Sequence, residues 1–215
     1  MVFKDRKDAG KELAEIIIKD PLIQKSPRQL VVLSLMRGGA PAGHEVAKKL
    51  NCKHHPLFVQ KISAPGQKEL AIGAVCEGHV FINTPLVKRL KLNKKQIEQQ
   101  VRGAQEKLKG YIKQFKIKKP FIEDKVVIVV DDGIATGSSV FAACRCLRQK
   151  HTNKVYLATP VAPEEFQPNK DIFNGDSCFD KVFILHKEPR FFSVSQFYRY
   201  FPQLSDQQAL SYFKT

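Results

Sequence analysis

The feature that most constrains this chain is an apolar run followed at once by two acids and a turn of small residues, VVIVVDDGIATGSS at residues 126–139. Five consecutive apolar β-formers predict a strand that is buried on both faces, as the strands of parallel sheets are. Apolar residues then recur at helical spacing from Val140, so the turn leads into a helix. Open α/β sheets bind ligands at the carboxyl ends of their strands, where Asp131 and Asp132 would lie.

The rest of the chain alternates short β-branched runs with longer amphipathic stretches, which predicts one α/β domain over residues 1–215 with a mainly parallel sheet. Helices are expected at residues 3–19, 43–50, 94–115 and 138–149, with short ones near 194–200 and 206–212. Strands are expected at residues 30–35, 55–59, 71–75, 80–82, 126–130, 154–159 and 182–185. Residues 61–73, with two glycines and a proline, are interpreted as a loop, and residues 36–43 as a turn.

The net charge, the apolar runs and the cysteines indicate which ligands and which compartment to expect. The net charge of +15 and the pI of about 9.6 predict attraction to phosphates, either of nucleic acids or of small substrates. No apolar run approaches the roughly 18 residues of a membrane span, and the first residues lack a signal peptide's apolar core. We therefore expect a cytoplasmic protein that does not bind membranes, whose five cysteines, without a C-x-x-C pair, are reduced thiols.

The turn after the acid pair has the chemistry of a phosphate site. The first amides of a helix lack internal partners and can bind an anion, and small residues let the backbone approach it. Two adjacent carboxylates would repel a phosphate, so they suit the hydroxyls of a ribose. The alternative is an aspartate cap beside a tight turn, which requires neither a second acid nor three hydroxyls. Neither G-x-x-x-x-G-K-[ST] nor a strand followed by G-x-G-x-x-G is present.

With the strand before it, DDGIATGSS resembles the phosphoribosyl-pyrophosphate signature of type I phosphoribosyltransferases. The resemblance implies a central, mainly parallel five-stranded sheet flanked by helices, with a small hood from residues near 1–20 and 165–215. It implies that Asp131 and Asp132 bind the ribose hydroxyls and, through the ribose or water, Mg²⁺. The residues that it implies for binding the substrate after this pair are Gly133, Ala135, Thr136, Gly137, Ser138 and Ser139. Many base-salvage relatives carry an acid at the position of Ala135, so purine salvage is in doubt and no general base can be named.

Two further segments fit the same family. Arg37, Gly38 and Gly39 follow an apolar strand and resemble the family's pyrophosphate loop, in which paired glycines allow a strained or cis backbone. An ordinary turn between strand and helix is the alternative. The segment 61–73 falls where the family has a mobile loop, and Lys61 and Lys68 there could steady the departing pyrophosphate or belong to a solvated surface loop.

A narrower resemblance covers most of the chain. A subgroup of predicted phosphoribosyltransferases combines F-x-D-R-x-D-A-G near the N-terminus with L-x-R-G-G-x-P-x-G and D-D-G-I-A-T-G. Here these motifs begin at Phe3, Leu35 and Asp131. The implied function is Mg²⁺-dependent transfer of a phosphoribosyl group from 5-phosphoribosyl-1-pyrophosphate to an unidentified, nitrogen-based acceptor in nucleotide metabolism. Asp131, Asp132, Arg37 and Lys61 would be the catalytic residues.

Two other functions are open. The segment 88–119 holds twelve lysines and arginines against Glu98 and Glu106. A non-catalytic sensor of phosphoribosyl pyrophosphate could use it to bind nucleic acid, although a solvated helix face is the favoured interpretation. An unrelated domain for another sugar phosphate is the third candidate. The sequence leaves open whether the chain forms a homo-oligomer.

Overall fold

The structure is a computed structural model that describes residues 2–25, 29–76, 78–115, 120–168 and 178–213. Its centre is a five-stranded sheet, in which every pair of neighbouring strands is parallel. In spatial order these strands are β2 (Lys53–Leu57), β1 (Leu30–Leu35), β6 (Val126–Val130), β7 (Lys154–Pro163) and β8 (Lys181–Glu188). The predicted mainly parallel five-stranded sheet is therefore confirmed.

Helices cover both faces of this sheet. The described residues form the helices α1 (Arg6–Ile17), α2 (Pro21–Lys25), α3 (Gly39–Leu50), α4 (Thr84–Arg89), α5 (Lys94–Phe115), α6 (Ser138–Arg148) and α7 (Asp206–Ser211), with a 3-10 turn at Val194–Phe197. On one face, Leu13 and Val46 of α1 and α3 pack against Ile128. On the other face, Phe141 of α6 packs against Val129. The alternating strands and helices follow the pattern of an α/β fold. Among the described residues, no helix is long and apolar enough to cross a membrane.

The interpretation of residues 61–73 as a loop is wrong. This segment belongs to a three-stranded antiparallel sheet made of β3 (Val59–Ala64), β4 (Gln67–Cys76) and β5 (His79–Ile82). Pro65 and Gly66 reverse the chain, while Ile62 and Ile72 on either side of them are fully buried against α5. The glycine and proline content indicates the turn at Pro65 and Gly66. The residues on either side of it form strands because alternate side chains there are buried.

Several other boundaries differ from the predictions; for example, the strand expected at residues 55–59 covers Lys53–Leu57. The turn expected at residues 36–43 is shorter, because α3 already begins at Gly39. The first helix begins at Arg6 rather than at residue 3, because the Asp5 side chain accepts hydrogen bonds from the amides of Lys7 and Asp8 and so caps it. The short helices α2 and α4 were not predicted.

The structure joins Cys144 to Cys178 in a disulfide, with the two Cα atoms 6.0 Å apart. The expectation of reduced thiols is wrong for this pair, whereas Cys52, Cys76 and Cys146 remain thiols. The two joined cysteines are 34 residues apart in the chain, so the absence of a C-x-x-C motif carried no information about them.

The segments expected to form a hood meet along one edge of the molecule. The amide of Phe3 donates to the carbonyl of Phe197 at 2.7 Å, and the amide of Arg199 donates to the carbonyl of Phe3 at 2.9 Å. Phe3, Phe197 and Tyr198 are buried together with Val161 of β7. The first and the last parts of the described chain are thereby fixed to each other and to the sheet. Residues 169–177 of the expected hood lie outside the described residues.

The end of the described chain is held by His54 of β2. Its ring shares a hydrogen bond of 2.7 Å with the Ser34 hydroxyl through Nε2, and its Nδ1 lies 3.2 Å from the carbonyl oxygen of Tyr212. The Phe213 ring lies 4.3 Å from the ring of His54. Burial lowers the pKa of His54 to about 3, so the imidazole is neutral near pH 7. A neutral ring that donates from Nδ1 to Tyr212 must accept the Ser34 proton at Nε2.

Candidate functional site

The turn after β6 forms an open cleft at the carboxyl end of the parallel sheet. Gly137 adopts a φ of 77° and precedes the first residue of α6, so the chain reverses and enters the helix within one residue. The amide of Ile134 donates to the carbonyl of Val161 in β7 at 2.9 Å, which fixes the turn to the neighbouring strand. Ala135 and Thr136 are exposed at its tip. The turn is thus hydrogen-bonded to β7 on one side and continues directly into α6 on the other.

The cleft has a volume of about 130 Å³ and is lined by Asp131, by the turn and by one residue from a distant strand, Lys61 of β3. The turn contributes Gly133, Ile134, Ala135, Thr136, Gly137, Ser138, Ser139 and Val140. The predicted phosphate turn, one predicted acid and one predicted lysine are thus brought together. The structure places Lys61 on an antiparallel strand rather than on a loop, and the side chain of Lys68 lies outside the described part.

The two adjacent aspartates have different environments. Asp131 lines the cleft, and its Oδ1 accepts the amide of Asp132 at 3.0 Å. Asp132 is buried, and its Oδ2 accepts a hydrogen bond of 2.6 Å from Nε of Arg6. Asp132 therefore has an internal cationic partner at Oδ2 in this structure, and ribose binding by the two carboxylates stays a prediction.

Burial raises the pKa of both carboxyls, since a charge costs more free energy in a protein interior than in water. At Asp131 the neighbouring carboxylate raises the pKa further, and the total rise is large. At Asp132 the attraction of Arg6 opposes the rise. A ligand that donates hydrogen bonds or brings a cation to Asp131 would favour its ionised form.

The acid pair suits Mg²⁺ only when a ligand supplies further oxygens. Among the described residues there is no group of three or more His, Cys, Asp or Glu side chains that could hold a metal ion. Mg²⁺ commonly binds through one or two carboxylates together with substrate phosphates and several waters. Asp131 at the cleft fits such a site, with a ribose or a water between carboxylate and ion.

The predicted pyrophosphate loop lies directly against the acid pair. The peptide between Met36 and Arg37 is cis. A Cβ atom at Gly38 would lie 2.2 Å from Oδ2 of Asp132, and one at Gly39 would lie 2.4 Å from the carbonyl oxygen of Val130. Both positions therefore require glycine, because no side chain fits between the loop and the end of β6. The loop and the phosphate turn approach the same strand end from two sides.

Arg37 is half-exposed and directed toward the C-terminal helix. Its guanidinium lies 3.7 Å from Oδ1 of Asp206 in α7, and the hydroxyl of Tyr111 in α5 donates to the same oxygen. Neither Asp206 nor Tyr111 lies in a recognised motif, so nothing in the sequence indicated these contacts. Arg6, the partner of Asp132, is the arginine of the motif F-x-D-R-x-D-A-G. The motif drew attention to this residue but gave no information about its contacts.

The basic segment forms an exposed surface on α4, on α5 and on the turn between them. Its nine described lysines and arginines are all exposed, and Lys94 forms an ion pair of 3.9 Å with Glu98. Lys116, Lys118 and Lys119 lie outside the described residues. None of the nine described side chains lines the phosphate cleft, and nucleic-acid binding by this surface stays a prediction.

Comparisons with known proteins agree with the geometry. The sequence profile of the family "Phosphoribosyl transferase domain" matches residues 3–188. Two Mycobacterium tuberculosis proteins, each named "putative phosphoribosyl transferase", are 36% identical over 214 residues, which is 98% of this chain and 46% of their own length. The chain thus spans about half the length of these curated relatives.

Solved structures show a similar fold. TT1426 from Thermus thermophilus is 28% identical, with a TM-score of 0.79 over 99% of this chain and 98% of that one. A hypoxanthine phosphoribosyltransferase from Staphylococcus aureus has a TM-score of 0.50 at 12% identity, covering 89% of this chain and 79% of that one. The second likeness concerns the fold alone.

Proposed function

This chain belongs to the phosphoribosyltransferase family, and we propose that it binds 5-phosphoribosyl-1-pyrophosphate and transfers the phosphoribosyl group to a nitrogen acceptor. The observation that carries the proposal is the meeting of three elements at the end of β6. These are the phosphate turn, the Asp131 carboxylate and the Arg37–Gly39 loop. A sugar that carries an anionic group at each end matches this arrangement.

Each part of the substrate has a partner of suitable chemistry. The 5-phosphate would lie on the amides and hydroxyls at the start of α6, which are the N–H groups without helical partners. The ribose hydroxyls would donate to Asp131. The pyrophosphate would lie at Arg37, Gly38 and Gly39, with Lys61 across the cleft. Bound Mg²⁺ would supply charge neutralisation on the pyrophosphate oxygens.

The reaction is a displacement at C1 of the ribose. The bond from C1 to the pyrophosphate oxygen breaks, and a bond from the acceptor nitrogen to C1 forms. Positive charge that develops on the ring and negative charge on the leaving group would be stabilised by Asp131 and by the two cations Arg37 and Lys61. Ala135 at the tip of the turn has no proton-accepting group, so the acceptor must lose its proton elsewhere.

Calorimetric titration with Mg²⁺ and either phosphoribosyl pyrophosphate or ribose 5-phosphate tests the binding part. The wild-type protein should bind the first ligand at least about tenfold more tightly, because only that ligand uses the Arg37–Gly39 loop. Asp131→Asn should weaken binding of phosphoribosyl pyrophosphate by about 10- to 100-fold through the loss of charge-assisted hydrogen bonds. Asp124→Asn, at the other end of β6, removes the same charge and serves as the control.

A screen of planar nitrogen bases with phosphoribosyl pyrophosphate and Mg²⁺, read out as released pyrophosphate, tests the transfer. Release with one base identifies the acceptor. Tight binding without release across the screen would favour a sensor over an enzyme. Equal affinity for the two sugar phosphates would contradict the proposed substrate itself.

A further inference from the structure

Arg6 does not line the cleft, yet its Nε lies 2.6 Å from Oδ2 of Asp132. We propose that Arg6 is a positioning residue for pyrophosphate, because its charge balances the Asp132 carboxylate beside the pyrophosphate loop and lets that loop accept an anion. This inference rests on the proposed function, since it takes Arg37–Gly39 as the pyrophosphate site.

The guanidinium of Arg6 is held on three sides. Its Nε donates to Asp132 at 2.6 Å, and its Nη1 donates to the carbonyl of Pro202 at 2.9 Å. The ring of Phe201 lies beneath it, 3.6 Å from the guanidinium carbon. Asp132 is itself held, because the hydroxyl of Tyr198 donates to its backbone carbonyl at 2.5 Å. The position of the arginine is therefore set by Asp132 after β6 and by residues 201–202.

The charge balance matters because of where the Asp132 carboxylate lies. Its Oδ2 is so close to Gly38 that a Cβ atom there would be 2.2 Å away. The side chains of Arg6 and Asp132 are 9% and 12% exposed, so water screens their charges poorly. An unpaired carboxylate at this position would repel a pyrophosphate on the loop. The paired carboxylate presents little net charge to it.

The phosphate turn should be less affected by this pair. The cleft around residues 133–140 is lined by Asp131 and Lys61, and neither Arg6 nor Asp132 is among its lining residues. Loss of Arg6 should consequently weaken the pyrophosphate end of the site selectively. A purely structural role would weaken both ends to a similar degree.

Separate calorimetric titrations with pyrophosphate and with ribose 5-phosphate, at one Mg²⁺ concentration, distinguish these cases. Arg6→Met should weaken pyrophosphate binding by about tenfold or more and ribose 5-phosphate binding by less than about threefold. Lys11→Met, which removes an exposed charge from the same helix α1, should change neither affinity by more than about twofold. Arg6→Lys keeps a cation near Asp132 and should retain most of the affinity for pyrophosphate.

A double variant separates charge from shape. Adding Asp132→Asn to Arg6→Met removes the unpaired carboxylate and should restore most of the lost pyrophosphate affinity. If Arg6→Met does not fold, Arg6→Lys and the double variant still test the charge. Unchanged pyrophosphate affinity, an equal loss for both ligands, or a double variant as weak as Arg6→Met would each overturn the inference. A wild-type protein that binds neither ligand would instead overturn the proposed function, and this inference with it.

Discussion

The buried histidine His54 makes folding stability depend on pH in a way that can be calculated. Its pKa is about 3 in the folded chain and 6.5 in an unfolded one. Below pH 6.5 the unfolded chain therefore binds a proton that the folded chain does not bind. Stability that is present above pH 6.5 is lost as the pH falls, by about 1.4 kcal/mol per unit down to about pH 3. At pH 5 this single residue should therefore lower the free energy of unfolding by about 2 kcal/mol relative to its value above pH 6.5.

Replacing the histidine isolates this contribution from all other titrating groups. His54→Gln should be less stable than the wild type at pH 7.5, because its side chain cannot reproduce the contacts to Ser34 and Tyr212. At pH 5.0 the difference in free energy of unfolding between the two proteins should be about 2 kcal/mol smaller. Only the wild type loses stability there, because its folded chain keeps the imidazole unprotonated. Urea unfolding of both proteins at both pH values measures the two gaps.

The control is His79→Gln on β5, which makes none of these contacts and whose free energy of unfolding at pH 7.5 should lie within about 0.5 kcal/mol of the wild type. A gap between wild type and His54→Gln that is the same at pH 7.5 and pH 5.0 would refute the reasoning. It would mean that the ring is solvated or protonated in the folded chain.

Three further predictions concern ligand binding, packing and reactivity. Lys61→Met should weaken pyrophosphate binding by about three- to tenfold, as measured by calorimetry, while leaving the melting temperature within a few degrees. Gly10→Ala should destabilise the fold by about 2 kcal/mol or more in urea unfolding, because its Cβ would lie 2.6 Å from backbone atoms of Ala42, whereas Gly103→Ala on α5 has open space and should be neutral or stabilising. Cys52, whose pKa burial raises to about 11, should react with iodoacetamide at pH 8 about a hundredfold more slowly than free cysteine, and a comparable rate would contradict its burial.

The sequence predicted the elements whose signal is local. The apolar strand Val126–Val130, the turn after it and the helix from Ser138 follow one another in the chain, so residue pattern and turn chemistry decide them. The long helix Lys94–Phe115 was predicted with its observed bounds for the same reason. Each of these elements also buries the face that its pattern indicates.

The sequence could not predict what depends on partners far apart in the chain. Arg6 and Asp132 are 126 residues apart, so nothing near the acid pair showed that one carboxylate is already paired. The hairpin of β3 and β4 was hidden because Pro65, Gly66 and Gly73 resemble a loop, while burial against α5 stabilises strands around them. Resemblance to a family indicated the candidate site, and tertiary contacts decided which of its residues have internal partners.

The pairing of Phe3 with the segment around Tyr198 has a consequence for how the site is made during protein synthesis. A ribosome completes the whole signature after β6 about 60 residues before it reaches Tyr198. Until residues 198–202 emerge, Arg6 has neither its aromatic ring nor its carbonyl partner, and Asp132 lacks the tyrosine that anchors its backbone. A nascent chain can therefore carry every recognisable motif while the contacts around the candidate site are still incomplete.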